Sequence, residues 1–259
     1  MAFQLTKWYL DCVTETGDAA VLYWASLRWG VLRLNYGAAL VSLGGDEADQ
    51  RYTLRPEHAP EHRADGTVRW CCDRLDVAAQ WTGRADGIER TLLDGPRGRI
   101  RWNCILPMAD ALVRVGQHTL RGLGYVEYLT MTVKPWQLPI DELRWGRFIS
   151  HSDSLVWISW RGLLPRTWVF ANGAELTDAK VGSLGLESSD EALGLTIDHG
   201  QVLRSGRLAS TALRSLSGVT SLMPRWRSAH ETKWVARALV TSPNGSNHGW
   251  VVHEVVQWP

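Results

Sequence analysis

The sequence predicts an all-β protein with little helix, organised as two tandem β-domains. Three observations predict it. Short runs that alternate or are solidly apolar recur along the whole chain. Turn-forming residues separate them at close intervals. Helical patterns are few and weak.

Taken in order, "KWYLDCV" alternates, "AAVLYWASLRW" is largely apolar, and Thr16-Gly17-Asp18 supplies the turn between them. "VLRLNY" and "ALVSLGG" read as two further strands. "TVRWCCDRLDVAAQW" opens after the Asp65-Gly66 turn, and "RIRWNCIL", "ALVRVG" and "GYVEYLTMTV" complete the first half. "RWGRFIS", "SLVWISWRG" and "TWVFANG" begin the second half and end at Asn172-Gly173, a pair suited to tight hairpins. "LGLTID", "KWVARALVTS" and "GWVVHEVVQW" finish it, with Asp198-His199-Gly200 and Asn244-Gly245 as turns. Two stretches read as helical: "GIERTLLDG" as two turns, and "IDELRWG" as a single turn after Pro139. This many strands exceeds what one small barrel requires.

Internal similarity supports two halves. "DAAVLYWASLRWGVLRLNYGAAL" (Asp18–Leu40) resembles "DSLVWISWRGLLPRTWVFANGAEL" (Asp153–Leu176) with one insertion. A second echo is Thr-Lys-Trp, at Thr6–Trp8 and at Thr232–Trp234. The expected domains are residues 1–134 and 135–259, with Pro135–Ser152 forming the join.

Charge excludes some partners. The chain has 28 basic and 27 acidic residues, a net charge of +1, which gives no overall electrostatic footprint for nucleic acid or an anionic membrane. No apolar run is long enough to span a bilayer. The N-terminus lacks the layout of a signal peptide. Four cysteines with no metal-ligand spacing read as free thiols in a reducing cytoplasm. The 15 Trp against 3 Phe point either to aromatic walls facing a ligand or to Trp as filler of wide barrel interiors.

The chemistry begins with one acid. In "GLGYVEYLTMTV", strand alternation puts Tyr125, Glu127, Leu129, Met131 and Val133 on one face and Val126, Tyr128, Thr130 and Thr132 on the other. Glu127 thus lies on the greasier face, where burial favours a neutral carboxyl and a general-acid role. The alternative is an ion pair with Arg147 or Arg121, which would keep Glu127 ionised and structural. Arg147 ends "PWQLPIDELRWGRF", in which two prolines stiffen a loop and Gly146 permits close backbone approach. His151, His253 and Glu254 are the next polar groups. In "GWVVHEVVQW", Glu254 falls between Trp and Val residues on one face and His253 on the other, so Glu254 could form an acid/base pair with Glu127. A phosphate loop, a GxSxG elbow and an HExxH zinc motif are all missing, so the chemistry is expected to need no cofactor or metal.

Two stretches resemble a known family. "KWYLDCVTETGDAAVLYW" resembles the WYFDxxxxDG segment of the carotenoid 1,2-hydratase (hydroxyneurosporene synthase)-like superfamily. "GLGYVEYLTMTVKPWQLPIDELRWGRF" resembles its GxGYxD stretch and following Trp-Gly-Arg. Tocopherol cyclase and the lipocalin-like Diels–Alderases are relatives of that group. The resemblance implies two lipocalin-like β-barrel or sandwich domains with an apolar substrate in an aromatic-lined cavity in or between them. It implies cofactor-free cyclisation, isomerisation or hydration of an unsaturated isoprenoid or polyketide, or a shape-driven pericyclic closure. Gly124, Tyr125 and Glu127 fall on the first motif, and Trp145, Gly146 and Arg147 on the second. Where many relatives carry a His-Asp-His-Asn type string, this chain has Val126-Glu127-Tyr128-Leu129, a single acid.

The expected catalytic residues are therefore Glu127, Tyr125 and Arg147. Trp24, Trp145, Trp157, Tyr128, Met131, His253 and Glu254 are expected to line the substrate. The expected partner is a hydrophobic small molecule. A non-catalytic carrier of such a ligand is the second expectation.

Overall fold

The computed structural model describes residues 2–189, 192–208 and 228–258. Strand accounts for 69% and helix for 3% of it, in two curled antiparallel sheets, each a half-barrel, consistent with tandem lipocalin-like domains. The chain divides into two compact units, Met1–Leu138 and Pro139–Pro259.

The first unit holds β1 (Phe3–Val13), β2 (Ala19–Trp29), β3 (Leu32–Ser42), β4 (Asp49–Thr53), β5 (Glu61–His62), β6 (Thr67–Cys72), β7 (Val77–Gly83), β8 (Ile88–Gly95), β9 (Gly98–Val115) and β10 (His118–Met131). Their order in the sheet is β4-β3-β2-β1-β10-β9-β7-β6-β5, with β8 beside β9. The second unit holds β11 (Glu142–Ile149), β12 (Ser154–Arg161), β13 (Arg166–Ala171), β14 (Ala174–Leu176), β15 (Lys180–Val181), β16 (Gly185–Ser188), β17 (Leu193–Ile197), β18 (Gln201–Arg207), β19 (His230–Ser242) and β20 (Gly245–Gln257). Its order is β14-β13-β12-β11-β20-β19-β17-β16-β15, with β18 beside β19.

Adding ten to each label of the first sheet reproduces the second, so one topology occurs twice. The echo between Asp18–Leu40 and Asp153–Leu176 falls on the equivalent hairpins β2–β3 and β12–β13. The Thr-Lys-Trp echo does not fit this repeat, because it joins β1 to β19, which are not equivalent strands.

Several element boundaries differ from the sequence expectation. "GIERTLLDG" is not a helix but β8, held by pairing with β9. Most of "IDELRWG" lies in β11, a strand paired on both sides by β12 and β20. Two-sided ladder bonding outweighs a weak local helix preference. The short helical turn lies earlier, at Pro135–Gln137. "VLRLNY" and "ALVSLGG" merge into β3, while "TVRWCCDRLDVAAQW" divides into β6 and β7 around a 3-10 turn at Asp73–Leu75. "RIRWNCIL" and "ALVRVG" join as the 18-residue β9. The turn at Asn172-Gly173 has both residues at positive φ, 48° and 86°, as a two-residue hairpin requires.

Each sheet buries one apolar face. In the first unit the core gathers Trp8, Leu10 and Cys12 of β1, Leu22 of β2, Trp70 of β6, Trp81 of β7, Val113 of β9 and Val126 of β10. In the second it gathers Phe148, Leu155, Trp157, Val169, Ala236 and Val251. Among the described residues no helix is long and apolar enough to cross a membrane. The four cysteines form no disulfide.

Candidate active site

Alternation in the first unit sets the site apart from the core. Trp8, Leu10 and Cys12 point into the apolar cluster, so Tyr9 and Asp11 leave β1 from its opposite face. Val126 points into the same cluster, so Tyr125 and Glu127 leave β10 from that opposite face. All four are buried: Tyr9 is 1% exposed, Asp11 and Tyr125 0%, and Glu127 5%.

The strand register makes a square of them. Tyr9 is the cross-strand partner of Glu127, and Asp11 is the partner of Tyr125. Each phenol bonds the acid two residues along its own strand. Tyr9 donates to Asp11 Oδ2 at 3.0 Å, and Tyr125 donates to Glu127 Oε2 at 2.8 Å. Diagonal neighbours in such a ladder lie about 7–8 Å apart, so the two carboxyls share one local environment.

The neighbouring strands complete the site. Trp102 of β9 donates its indole N–H to Glu127 Oε2 at 2.7 Å. Indole can only donate, so Oε2 acts here as an acceptor. The Cys104 thiol hydrogen-bonds with Tyr125, and Cys104 is the cross-strand partner of Glu127. Burial first, then the Cys104 and Glu127 charges, push the Tyr125 phenol well above its ordinary range, so it stays a hydrogen-bond donor. Burial likewise pushes the Cys104 thiol up, which leaves it inert as a nucleophile. Tyr23 closes the aromatic wall, its ring centroid 5.4 Å from that of Tyr9 in an edge-on arrangement. The Lys7 ammonium stands 5.5 Å from the Tyr23 ring and 5.9 Å from that of Tyr9.

Two backbone features hold this geometry. The β9–β10 ladder slips register between Gly124 and Val126 and again between Val126 and Glu127, directly beside the site. Pro107 lies in the slipped part of β9, where its missing N–H costs no ladder bond. Such bulges re-aim side chains. Gly124 then leaves room for the Trp81 indole to reach across and donate to the Asp11 carbonyl at 2.7 Å. A Cβ at position 124 would stand 2.4 Å from that carbonyl oxygen and 2.8 Å from the indole.

The other expected residues distribute differently. Met131 lies on the Glu127 face, paired with Leu5 and Ile100. Trp24 and Tyr128 lie on the opposite, core side of the same sheet. There Tyr128, Trp8 and Trp24 form a row across β10, β1 and β2, with Trp8 and Tyr128 centroids 5.0 Å apart. The buried Nε1 of Trp24 has no hydrogen-bond partner.

Arg147, Trp145, Trp157, His253 and Glu254 belong to the second unit. Arg147 is fully buried and donates to the Trp250 carbonyl at 2.8 Å. Trp145 is the cross-strand partner of Glu254, and buried Lys233 bonds the Glu254 carboxylate while standing 5.2 Å over the Trp145 ring. Trp157 packs in the core over Gly146, where any Cβ would collide with its indole. His253 stacks on Trp234 at 4.8 Å, on the face opposite Glu254. Among the described residues no group of three or more metal-ligating side chains is gathered.

Sequence reasoning missed Tyr9 and Asp11 of β1, Tyr23 of β2, and Trp102 and Cys104 of β9. The alternation that singled out Glu127 applies equally to "KWYLDCV", where Lys7, Tyr9, Asp11 and Val13 share a face.

No family model matches the sequence, and no curated protein matches it. Solved structures do match in fold. CghA in complex with Sch210972 aligns over 98% of this chain and 88% of its own, with a TM-score of 0.63 and 12% identity. Kievitone hydratase from Nectria haematococca aligns over 98% and 88%, with a TM-score of 0.59 and 10% identity. A Nitrosomonas europaea protein described as a candidate AttH aligns over 98% and 92%, with a TM-score of 0.56 and 10% identity. At these identities the likeness establishes the fold.

Proposed function

We propose that this protein is a cofactor-free enzyme that hydrates, cyclises or isomerises an apolar unsaturated small molecule, with Glu127 as the proton-transferring residue. The observation that carries this reading is the buried square of Tyr9, Asp11, Tyr125 and Glu127, in which each acid is held by a phenol. Two carboxyls in one dry aromatic setting supply what proton-initiated alkene chemistry needs: one group to deliver a proton and a second to accept one.

In this reading Glu127 delivers a proton to a carbon–carbon double bond, while Tyr125 and Trp102 hold Oε2 still. Asp11 accepts a proton from the substrate or from attacking water. The rings of Tyr9 and Tyr23 stabilise positive charge developing on carbon, by about 0.5–2 kcal/mol each. Most of the rate gain comes from holding the substrate in one reactive shape. Hydratase chemistry agrees with the name of one fold neighbour, kievitone hydratase. Arg147 is proposed as a charge that fixes the β11–β20 ladder through the Trp250 carbonyl rather than as a proton donor.

A carrier is the second reading, favoured by the unpartnered Trp24 Nε1 beside the Tyr128–Trp8–Trp24 row. Incubating the purified protein with an apolar extract of its source cells separates the two. The enzyme converts one component to a product with the mass of one added water, or to an isomer of altered retention. A carrier returns every component unchanged and retains one in native mass spectrometry.

A further inference from the structure

The β2–β3 hairpin ends in the run Arg28-Trp29-Gly30-Val31-Leu32-Arg33, turned by Gly30 at φ 60°. Val31 at its tip is 102% exposed, the most exposed of the large apolar residues among those described. Arg28 and Arg33 are cross-strand partners, and both are exposed. Like charges placed directly opposite each other destabilise a hairpin. Among the described residues neither arginine forms an ion pair, and no acid occurs from residue 19 to residue 45. Lys134 adds a third cation beside the tip, 5.9 Å from the Trp29 ring and 6.0 Å from that of Trp136. Those two indoles pack against each other at 5.2 Å and are half-buried.

The repeat supplies an independent observation. The equivalent β12–β13 hairpin carries Trp160-Arg161-Gly162-Leu163-Leu164-Pro165-Arg166. Leu163, at 84%, is the second most exposed large apolar residue among the described residues. One exposed aliphatic is ordinary. The two most exposed among the described residues, each just after a positive-φ glycine and each between two arginines, occupy one position of the repeat.

We infer that the β2–β3 tip docks on an anionic lipid bilayer. Val31 enters the headgroup boundary, Trp29 and Trp136 sit at interfacial depth where amphipathic rings are favoured, and Arg28, Arg33 and Lys134 meet lipid phosphates. The apolar tip is what selects a bilayer over a free anion. The near-zero net charge makes this a local device rather than a property of the whole surface. The inference does not depend on the role proposed for Glu127.

The test is flotation of the full chain with vesicles of phosphatidylcholine alone, or of phosphatidylcholine with a quarter phosphatidylserine. Binding to the anionic vesicles is expected, with weaker binding to the neutral ones and a decrease as salt is raised. Each arginine contributes about a fivefold factor near an anionic surface, so R28Q/R33Q is expected to weaken binding by more than tenfold. V31D is expected to weaken it comparably, without changing the melting temperature. L112D alters an exposed leucine on β9, far from this tip in the sheet order, and is expected to bind like the wild type. Absence of wild-type binding, or V31D binding as well as wild type, overturns the inference. So does a V31D effect confined to self-association of the protein without lipid. Glu127→Gln is expected to leave flotation unchanged, so failure here and failure of the catalytic reading are separable.

Discussion

Glu127 and Glu254 occupy the same rung of the two repeated sheets. Glu127 on β10 faces Tyr9 across to β1, and Glu254 on β20 faces Trp145 across to β11. Neutral donors, Trp102 and Tyr125, hold Glu127, whereas the Lys233 ammonium holds Glu254.

The substitution Glu254→Gln removes the carboxylate from a fully buried lysine. Breaking such a pair from one side costs about 3 kcal/mol. A clear drop in the denaturation midpoint is therefore expected for Glu254→Gln. Glu127→Gln, which keeps an oxygen for the same two donors, is expected to melt close to wild type. Parallel urea titrations of the two variants check this.

Trp102→Phe and Tyr125→Phe each keep a ring and delete one donor to Glu127 Oε2. Losing a buried partner of this kind costs about 1–3 kcal/mol of stability. Turnover is expected to fall on the order of tenfold or more in each, because the carboxyl loses its fixed orientation. Single-turnover rates for the two variants, with the substrate found in the extract assay, test the claim.

Gly124→Ala places a methyl 2.4 Å from the Asp11 carbonyl and 2.8 Å from Trp81. The backbone contact cannot yield by a side-chain rotation, so about 3 kcal/mol of destabilisation is expected. Altered tryptophan fluorescence should accompany it, since the Trp81 hydrogen bond to Asp11 is displaced. A calorimetric melt together with an emission spectrum measures both effects.

His253 is held at about 4, below its ordinary 6.5, mainly by burial and then by the Lys233 charge, with Glu254 acting in the opposite sense. The unfolded chain therefore binds a proton that the folded one refuses between those values. The stability this neutral histidine contributes is complete above pH 6.5 and is lost as pH falls from 6.5 towards about 4. The loss amounts to about 3 kcal/mol. His253→Gln is expected to flatten that decline, read from urea midpoints at about pH 5 and about pH 7.

Much of the fold was legible because alternation and turn chemistry are local. Thr16-Gly17-Asp18, Asp65-Gly66 and Asn172-Gly173 all mark real turns. The Tyr125–Glu127 pairing was legible for the same reason, since residues two apart in a strand share a face. What local pattern could not show was long-range pairing. "GIERTLLDG" has a helix-like spacing of Ile88 and Leu92, yet β9 captures it as a strand across a register shift at Thr91/Leu93. "RIRWNCIL" and "ALVRVG" read as two strands, whereas they form one long strand with Pro107 in its slipped stretch. Trp102 became a site residue only because that slip and the β9–β10 register bring it to Glu127. Asp11 was within reach of the alternation rule, and its pairing with Tyr125 needed the β1–β10 register.

The most direct measurement is solvent deuterium incorporation. Wild-type protein and Glu127→Gln are each incubated in deuterium oxide with the apolar extract, and the product is analysed for carbon-bound deuterium. Wild type is expected to give product labelled at one carbon, and Glu127→Gln to form it at least about a hundredfold more slowly. Product free of carbon-bound deuterium, or equal labelling by the two proteins, would contradict the assignment of Glu127 as the proton-transferring residue.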